Sequence, residues 1–150
     1  MKLIYAQEKI EIEGKSVFLA GPTPRSKDVE SWRPVALKMF NQSKFNGTIM
    51  LPEMRHGWDQ EYAYKSQIEW ELEAMEKADM VLFWIPRHLE TMPAFTTNTE
   101  FGIWIAKDPS KIRIGIPNSA VKCDYIKYLC LINDIKVHTY LNNLVESIVK

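Results

Sequence analysis

Cysteine is nearly absent from this chain: there are two in 150 residues, Cys123 and Cys130. Their spacing of seven matches no zinc or redox motif, and two helical turns would put both on one face. Buried free thiols are expected, and with them a reducing, cytoplasmic compartment. A surplus of charge is also missing, with 19 Lys and Arg against 19 Asp and Glu. Global charge therefore gives no support to binding a nucleic-acid polymer. No apolar run approaches the ~20 residues of a membrane span, and Met1 to Glu8 turns charged too early for a signal peptide. Repeats, low-complexity tracts and linkers are lacking as well. What remains is 46% apolar and 25% charged, ordinary for a globular protein. A single domain over residues 1–150 is expected, long enough for a full core. No metal and no cofactor is expected.

Several apolar runs end in glycine or proline. Leu3, Tyr5, Ile10 and Ile12 alternate weakly and read as one or two short edge strands. Ser16–Ala20 reads as a buried strand, followed by the rim loop Gly21-Pro22-Thr23-Pro24-Arg25-Ser26. A helix is expected from Asp28 to Asn41, with Ser31 a possible cap and Pro34 in the first turn. Thr48–Leu51 is the next strand, ending at Pro52-Glu53. A polar and aromatic loop leads to a helix from about Tyr62 to Lys77. Met80–Ile85 is a continuous apolar run, the expected central strand. A strand at Lys111–Ile116, a helix at Val121–Asn133, a short strand at Ile135–Thr139 and a terminal helix from Tyr140 complete the pattern. Strand and helix alternate about five times. The fold class is therefore α/β, a flavodoxin- or Rossmann-like three-layer sandwich. Its sheet is expected to be mostly parallel and five-stranded, plus a short N-terminal edge strand or hairpin. In a flavodoxin-like order the loops after the first and central strands meet at the switch point, where ligands bind.

The second of those loops leads into Thr96-Thr97-Asn98-Thr99-Glu100-Phe101-Gly102. A helix from Glu100 to Lys107 would place a carboxylate in a first turn, where the helix N-terminus favours its ionised form. An ionised acid at that rim suits a nucleophile. The alternative is a capping box, in which Thr97 caps the helix and Glu100 bonds back to it.

At 100° per residue, Ile68, Leu72 and Met75 form the expected buried stripe of the helix before the central strand. Glu69, Glu73 and Glu76 form a solvated acidic face. Glu71 lies on the opposite flank of the stripe, near Tyr64, Gln67 and Ala78. An acid segregated from the acidic face is a candidate site residue; pairing with a neighbouring base is the alternative.

Phe18-Leu19-Ala20-Gly21-Pro22, an acid eight residues before Asp79, and Thr99-Glu100-Phe101-Gly102 together resemble the nucleoside 2-deoxyribosyltransferase superfamily. The continuation Gly-Pro-Thr-Pro-Arg and the stretch Gln67-Ile68-Glu69-Trp70-Glu71 are closest to its 2-deoxyribosyltransferase-like branch. The similarity spans roughly Val17 to Pro117. It implies a protein that breaks or exchanges N-glycosidic bonds of nucleosides or nucleoside 5′-monophosphates, with Glu100 as nucleophile. Glu71 takes the place of the carboxylate, usually Asp, that holds the sugar hydroxyls. Ala94 stands where other members carry an Asp that contacts the base. The resemblance also implies that the first rim loop (Gly21, Pro22, Thr23, Arg25 and Ser26) holds the 5′ side of the substrate. A homo-oligomer is implied as well.

Asn98 and the aromatic residues Trp58 and Trp84 are further substrate-binding candidates, with Phe95 beside them. Core packing is the alternative for each aromatic. A bidentate guanidinium at Arg25 suits a 5′-phosphate; a surface arginine without a partner is the other reading. His56 sits near the same rim. Asp79 reads as a strand opener bonding nearby backbone. Three functions follow: a glycosyl-transferring or hydrolysing enzyme, a catalytically silent nucleotide-binding module, or an effector that consumes NAD or nucleotides on the same scaffold.

Overall fold

A computed structural model describes residues 1–26, 28–56 and 64–150. Trp58 and Tyr62 lie outside the described residues. The strands are β1 (Lys2–Tyr5), β2 (Lys15–Ala20), β3 (Gly47–Leu51), β4 (Met80–Trp84), β5 (Ile112–Gly115) and β6 (Val137–His138). The helices are α1 (Arg33–Gln42), α2 (Tyr64–Lys77), α3 (Phe95–Lys107), α4 (Asp124–Ile132) and α5 (Leu141–Val149).

All six strands pair in parallel, in the order β1-β3-β2-β4-β5-β6. From β2 onward this is the expected flavodoxin-like order. The expected N-terminal edge strand is β1, which joins the five-stranded sheet in parallel as its sixth strand, Leu3 opposite Ile49. Residues 10–12 form no strand. Just beyond them the Glu13 N–H and C=O both bond the Thr48 hydroxyl, at 2.8 and 2.9 Å, in place of a backbone ladder.

Alternate strand residues feed two cores, as the two-residue period of a strand requires. Val17, Leu19, Ile49, Leu51, Leu82 and Trp84 pack with α1 and α5 on one face. Phe18, Ala20, Met50, Val81 and Phe83 pack with α2, α3 and α4 on the other. Burial on both faces explains why the strands read as continuous apolar runs. Asp79 does open β4 as expected, accepting from the Ser16 N–H at 2.7 Å and its hydroxyl at 2.8 Å. Cys123 and Cys130 are buried free thiols. Among the described residues no helix is long and apolar enough to cross a membrane.

Three helices differ from expectation. The first begins at Arg33 rather than Asp28. A start at Asp28 would bury Pro34 in the helix interior, where its ring clashes with the carbonyl four residues back. Ser31 does not cap the helix in the usual sense; its hydroxyl accepts from the Arg33 N–H at 3.3 Å and donates to Glu53 at 2.8 Å. The buried stripe of α2 is rotated: Gln67, Trp70, Ala74 and Met75 face inward, while Ile68 and Leu72 are exposed. Small Ala74 and Ala78 let this face approach the sheet, and the Trp70 indole N–H finds the Glu8 carbonyl at 2.8 Å. The third helix begins at Phe95, five residues before Glu100.

Glycine is needed at one rim position and at one helix position it is not. Gly21 has φ +143°, and a Cβ there would lie 2.2 Å from the Trp84 carbonyl oxygen. Gly102 sits mid-helix with open space around it. Gly21→Ala is expected to lower stability by about 2 kcal/mol or more, and Gly102→Ala to raise it by about 0.5–1 kcal/mol. Paired urea melts check both; equal effects would contradict this reading of the rim loop.

Candidate functional site

The rim loops after β2 and β4 meet, as the strand order requires. The Arg25 N–H donates to the Thr91 carbonyl at 3.0 Å. The Arg25 guanidinium lies 5.6 Å from the centroid of the Phe95 ring. Arg25, Thr23 and Ser26 are all exposed there. The Ser26 hydroxyl accepts from the Asp28 N–H at 3.2 Å, a local turn bond.

Below these loops lies a cluster of charge. Arg33, 1% exposed, reaches over the end of β2. Its Nε donates to the Leu19 carbonyl at 3.2 Å and its Nη2 to the Gly21 carbonyl at 2.7 Å. Its Nη1 donates to the Thr23 hydroxyl at 3.0 Å and to the Glu53 carboxylate at 2.8 Å. Burial lowers the Arg33 pKa and the charges of Glu53, Glu100 and Glu71 raise it. A guanidinium remains cationic in a protein interior.

Glu71 comes from the inward face of α2, and its carboxylate accepts from the Gln67 amide at 2.7 Å. Gln67 is held in turn by the Pro52 carbonyl at 2.9 Å and by Gln7 at 3.1 Å. Burial pushes the Glu71 carboxyl up, against the lowering effects of Gln67 and Arg33.

Glu100 is the sixth residue of α3, in its second turn. It lies at the edge of the stripe formed by Thr97, Phe101 and Trp104, which packs edge-on against Phe83 through Phe101, centroids 5.6 Å apart. Two expectations fail at this point. The capping box is absent, because Ala94, in a left-handed conformation at φ 61°, occupies the cap position. The helix N-terminus is too far away to hold Glu100 ionised, since its field fades within the first turn. Burial instead pushes the Glu100 carboxyl up to about 8, helped by the neighbouring charge of Glu71 and opposed by Arg33.

The other candidates divide. Asn98 is in the first turn of α3, and its Oδ1 accepts from Arg87. Pro22 is buried, and its carbonyl accepts from the Trp32 indole N–H at 3.1 Å. Trp84 is buried among Val17, Leu19 and Leu82, so its packing matches the core alternative. Arg33 and Glu53 had no place among the sequence candidates. Glu53 could have been found from its position at the carboxyl end of β3, on the ligand-binding rim. Arg33 could have been found once Pro34 was used to fix the start of α1.

Two open concavities, about 410 Å³ beside Glu13 and Asn46 and about 540 Å³ between Arg113 and His138, do not touch Glu71 or Glu100. Among the described residues no group of three or more His, Cys, Asp or Glu could hold a metal ion. The arrangement offers two desolvated carboxyls and a buried cation under an exposed rim loop that carries a further arginine.

The raised Glu100 pKa has a consequence for stability. An acid whose folded pKa lies above its unfolded value stabilises the fold at low pH and loses that contribution as pH rises through the folded pKa. The midpoints are 4.5 and about 8. The Tm of Glu100→Gln minus that of wild type is therefore expected to widen between about pH 5 and pH 8 and to level off above. A difference that stays flat across that window would mean Glu100 is not desolvated.

A search of curated proteins returns no match. Residues 14–120 match the model of a family described as nucleoside 2-deoxyribosyltransferase like. The matched span holds β2 to β5, both rim loops and all four charged residues of the cluster, Arg33, Glu53, Glu71 and Glu100. At family level this is a transferase-type enzyme fold associated with nucleosides. Because the match covers well over half of its length, the chain belongs to the nucleoside 2-deoxyribosyltransferase-like family.

Proposed function

We propose that this protein cleaves or exchanges the N-glycosidic bond of a nucleoside or nucleoside 5′-monophosphate through a covalent intermediate on Glu100. The observation that carries the reading is the placing of two buried acids, Glu71 on α2 and Glu100 on α3, near the Arg33 clamp at the switch point, with burial raising both carboxyls. Perturbed carboxyls at a ligand-binding rim are the mark of reacting groups.

In the first step a Glu100 carboxylate oxygen attacks the anomeric carbon. The bond from that carbon to the base nitrogen breaks, its electron pair leaves with the base, and the base takes up a proton from solvent. The transition state is oxocarbenium-like, as in retaining glycosidases. Glu71, its other oxygen fixed by Gln67, holds sugar hydroxyls and strengthens those bonds as charge develops. In the second step a nitrogen of an acceptor base, or water, attacks the same carbon, gives up a proton to solvent and frees the carboxylate. Arg25 and Thr23 on the rim suit the 5′ side of a nucleotide, by charge and by a hydroxyl. Position 94 carries a methyl group, so base recognition does not run through a carboxylate there.

Base release or exchange from deoxy- and ribonucleosides and their 5′-monophosphates, followed by chromatography, tests this. Glu100→Ala is expected to lose about 10³-fold or more. Wild-type kcat/KM is expected to rise with pH toward the Glu100 midpoint of about 8. Arg25→Ala is expected to weaken monophosphates and spare nucleosides. Binding without any turnover would instead favour a silent nucleotide-binding module, for which the missing acid at Ala94 speaks.

A homo-oligomer in a reducing, cytoplasmic compartment belongs to the same reading. In its favour, α4 exposes Tyr125 at 80%, Tyr128 at 63% and Leu131 at 70%, a contiguous apolar face of the kind that marks interaction sites. Light scattering is expected to give a dimer or larger species, and Leu131→Glu to shift it toward monomer. A monomeric wild type at micromolar concentration would contradict this part.

A further inference from the structure

We propose that Arg33 is a positioning residue for this site: its guanidinium fixes the Gly21–Thr23 loop and is the positive charge shared by Glu53, Glu71 and Glu100. The inference deepens the reading of Glu100 as the reacting carboxylate and rests on it.

The geometry is that of a clamp. Three donor nitrogens of one buried side chain take the Leu19 carbonyl, the Gly21 carbonyl, the Thr23 hydroxyl and the Glu53 carboxylate. Gly21 and Thr23 belong to the loop that carries Arg25, so the clamp sets where the exposed rim groups stand. The same charge reaches down to the acids. The charges of Glu71 on α2 and of Arg33 at the start of α1 both act on the Glu100 carboxyl of α3, the first raising its pKa and the second lowering it. Glu53, at the end of β3, neutralises part of the Arg33 charge through the ion pair at 2.8 Å. Gln67 is the uncharged partner of Glu71. Any displacement of Arg33 on filling the rim loop would alter the field at the nucleophile, so the loop and the reacting acid are linked through one side chain.

Two substitutions move that field in opposite directions. Arg33→Met keeps much of the volume and removes the charge, so Glu100 should hold its proton to higher pH. Glu53→Gln keeps an acceptor for Arg33 and for Ser31 and removes a negative charge, so Glu100 should lose its proton at lower pH. Arg33→Lys restores the charge without the planar fork.

The test is a carboxyl NMR titration of the full chain labelled in glutamate, with the Glu100 signal assigned by its loss in Glu100→Gln. The Glu100 midpoint is expected to rise by on the order of one pH unit in Arg33→Met, to return toward wild type in Arg33→Lys, and to fall in Glu53→Gln. A structural role alone would not produce opposite signs. Unchanged midpoints, or changes of the same sign in Arg33→Met and Glu53→Gln, would overturn the inference. If Arg33→Met does not fold, the direction in Glu53→Gln decides. Opposite changes in a protein that turns over no nucleoside would defeat the proposed chemistry and leave the assignment of Arg33 standing.

Discussion

A guanidinium taken out of water must find acceptors for its five N–H groups, or the fold carries the desolvation cost of each unpaired one. Arg33 places four of them at the carboxyl end of β2, on the Leu19 and Gly21 carbonyls, the Thr23 hydroxyl and the Glu53 carboxylate. The rest of the site follows from this placement. It requires α1 to begin at Arg33, and Pro34 sets that start. It requires Gly21, because a side chain there would strike the Trp84 backbone. It also puts a positive charge under the rim, beside the two desolvated carboxyls of Glu71 and Glu100, whose charges would otherwise meet without a cation between them.

The ionisation of Glu100 is decided by burial and not by the helix. A helix N-terminus contributes roughly 0.3–1 kcal/mol to a nearby charge, enough to move a carboxyl midpoint by less than about one pH unit. Burial and the neighbouring Glu71 move this carboxyl from 4.5 to about 8. Even in the first turn, the dipole could not have offset that. A protonated acid at neutral pH is a poor nucleophile, so the positive charge that builds at the anomeric carbon, which favours the ionised carboxylate beside it, is part of the proposed chemistry.

Much of the fold was legible because its signals are short-range. Continuous apolar runs gave the buried strands, and glycine and proline gave the rim loops. The β-α alternation gave a parallel sheet with its switch point between the loops at Gly21 and Asn98. Glu71 was legible as an acid set apart from Glu69, Glu73 and Glu76, although the stripe beside it was misplaced. Ile68 and Leu72 look like core by hydrophobicity, but Trp70 and two alanines fit closer to the sheet. The start of α3 was hidden because Phe95 and three threonines have weak helix propensity, while burial of Thr97 holds that turn in place. For Arg33 and Glu53 the places were legible, from Pro34 and from the end of β3, but the pairing was not, because it depends on contacts between separate elements 10 to 20 residues apart.

The most direct test of the account is to trap the bond it requires. A nucleoside carrying fluorine at C2′ slows the breakdown of a glycosyl-enzyme by destabilising its oxocarbenium-like transition state. Incubation of the full chain with such a nucleoside, followed by intact mass and peptide mapping, should show one glycosyl group added and located on Glu100. An adduct on another residue, or bound nucleoside with no adduct while base is released, would contradict Glu100 as the nucleophile.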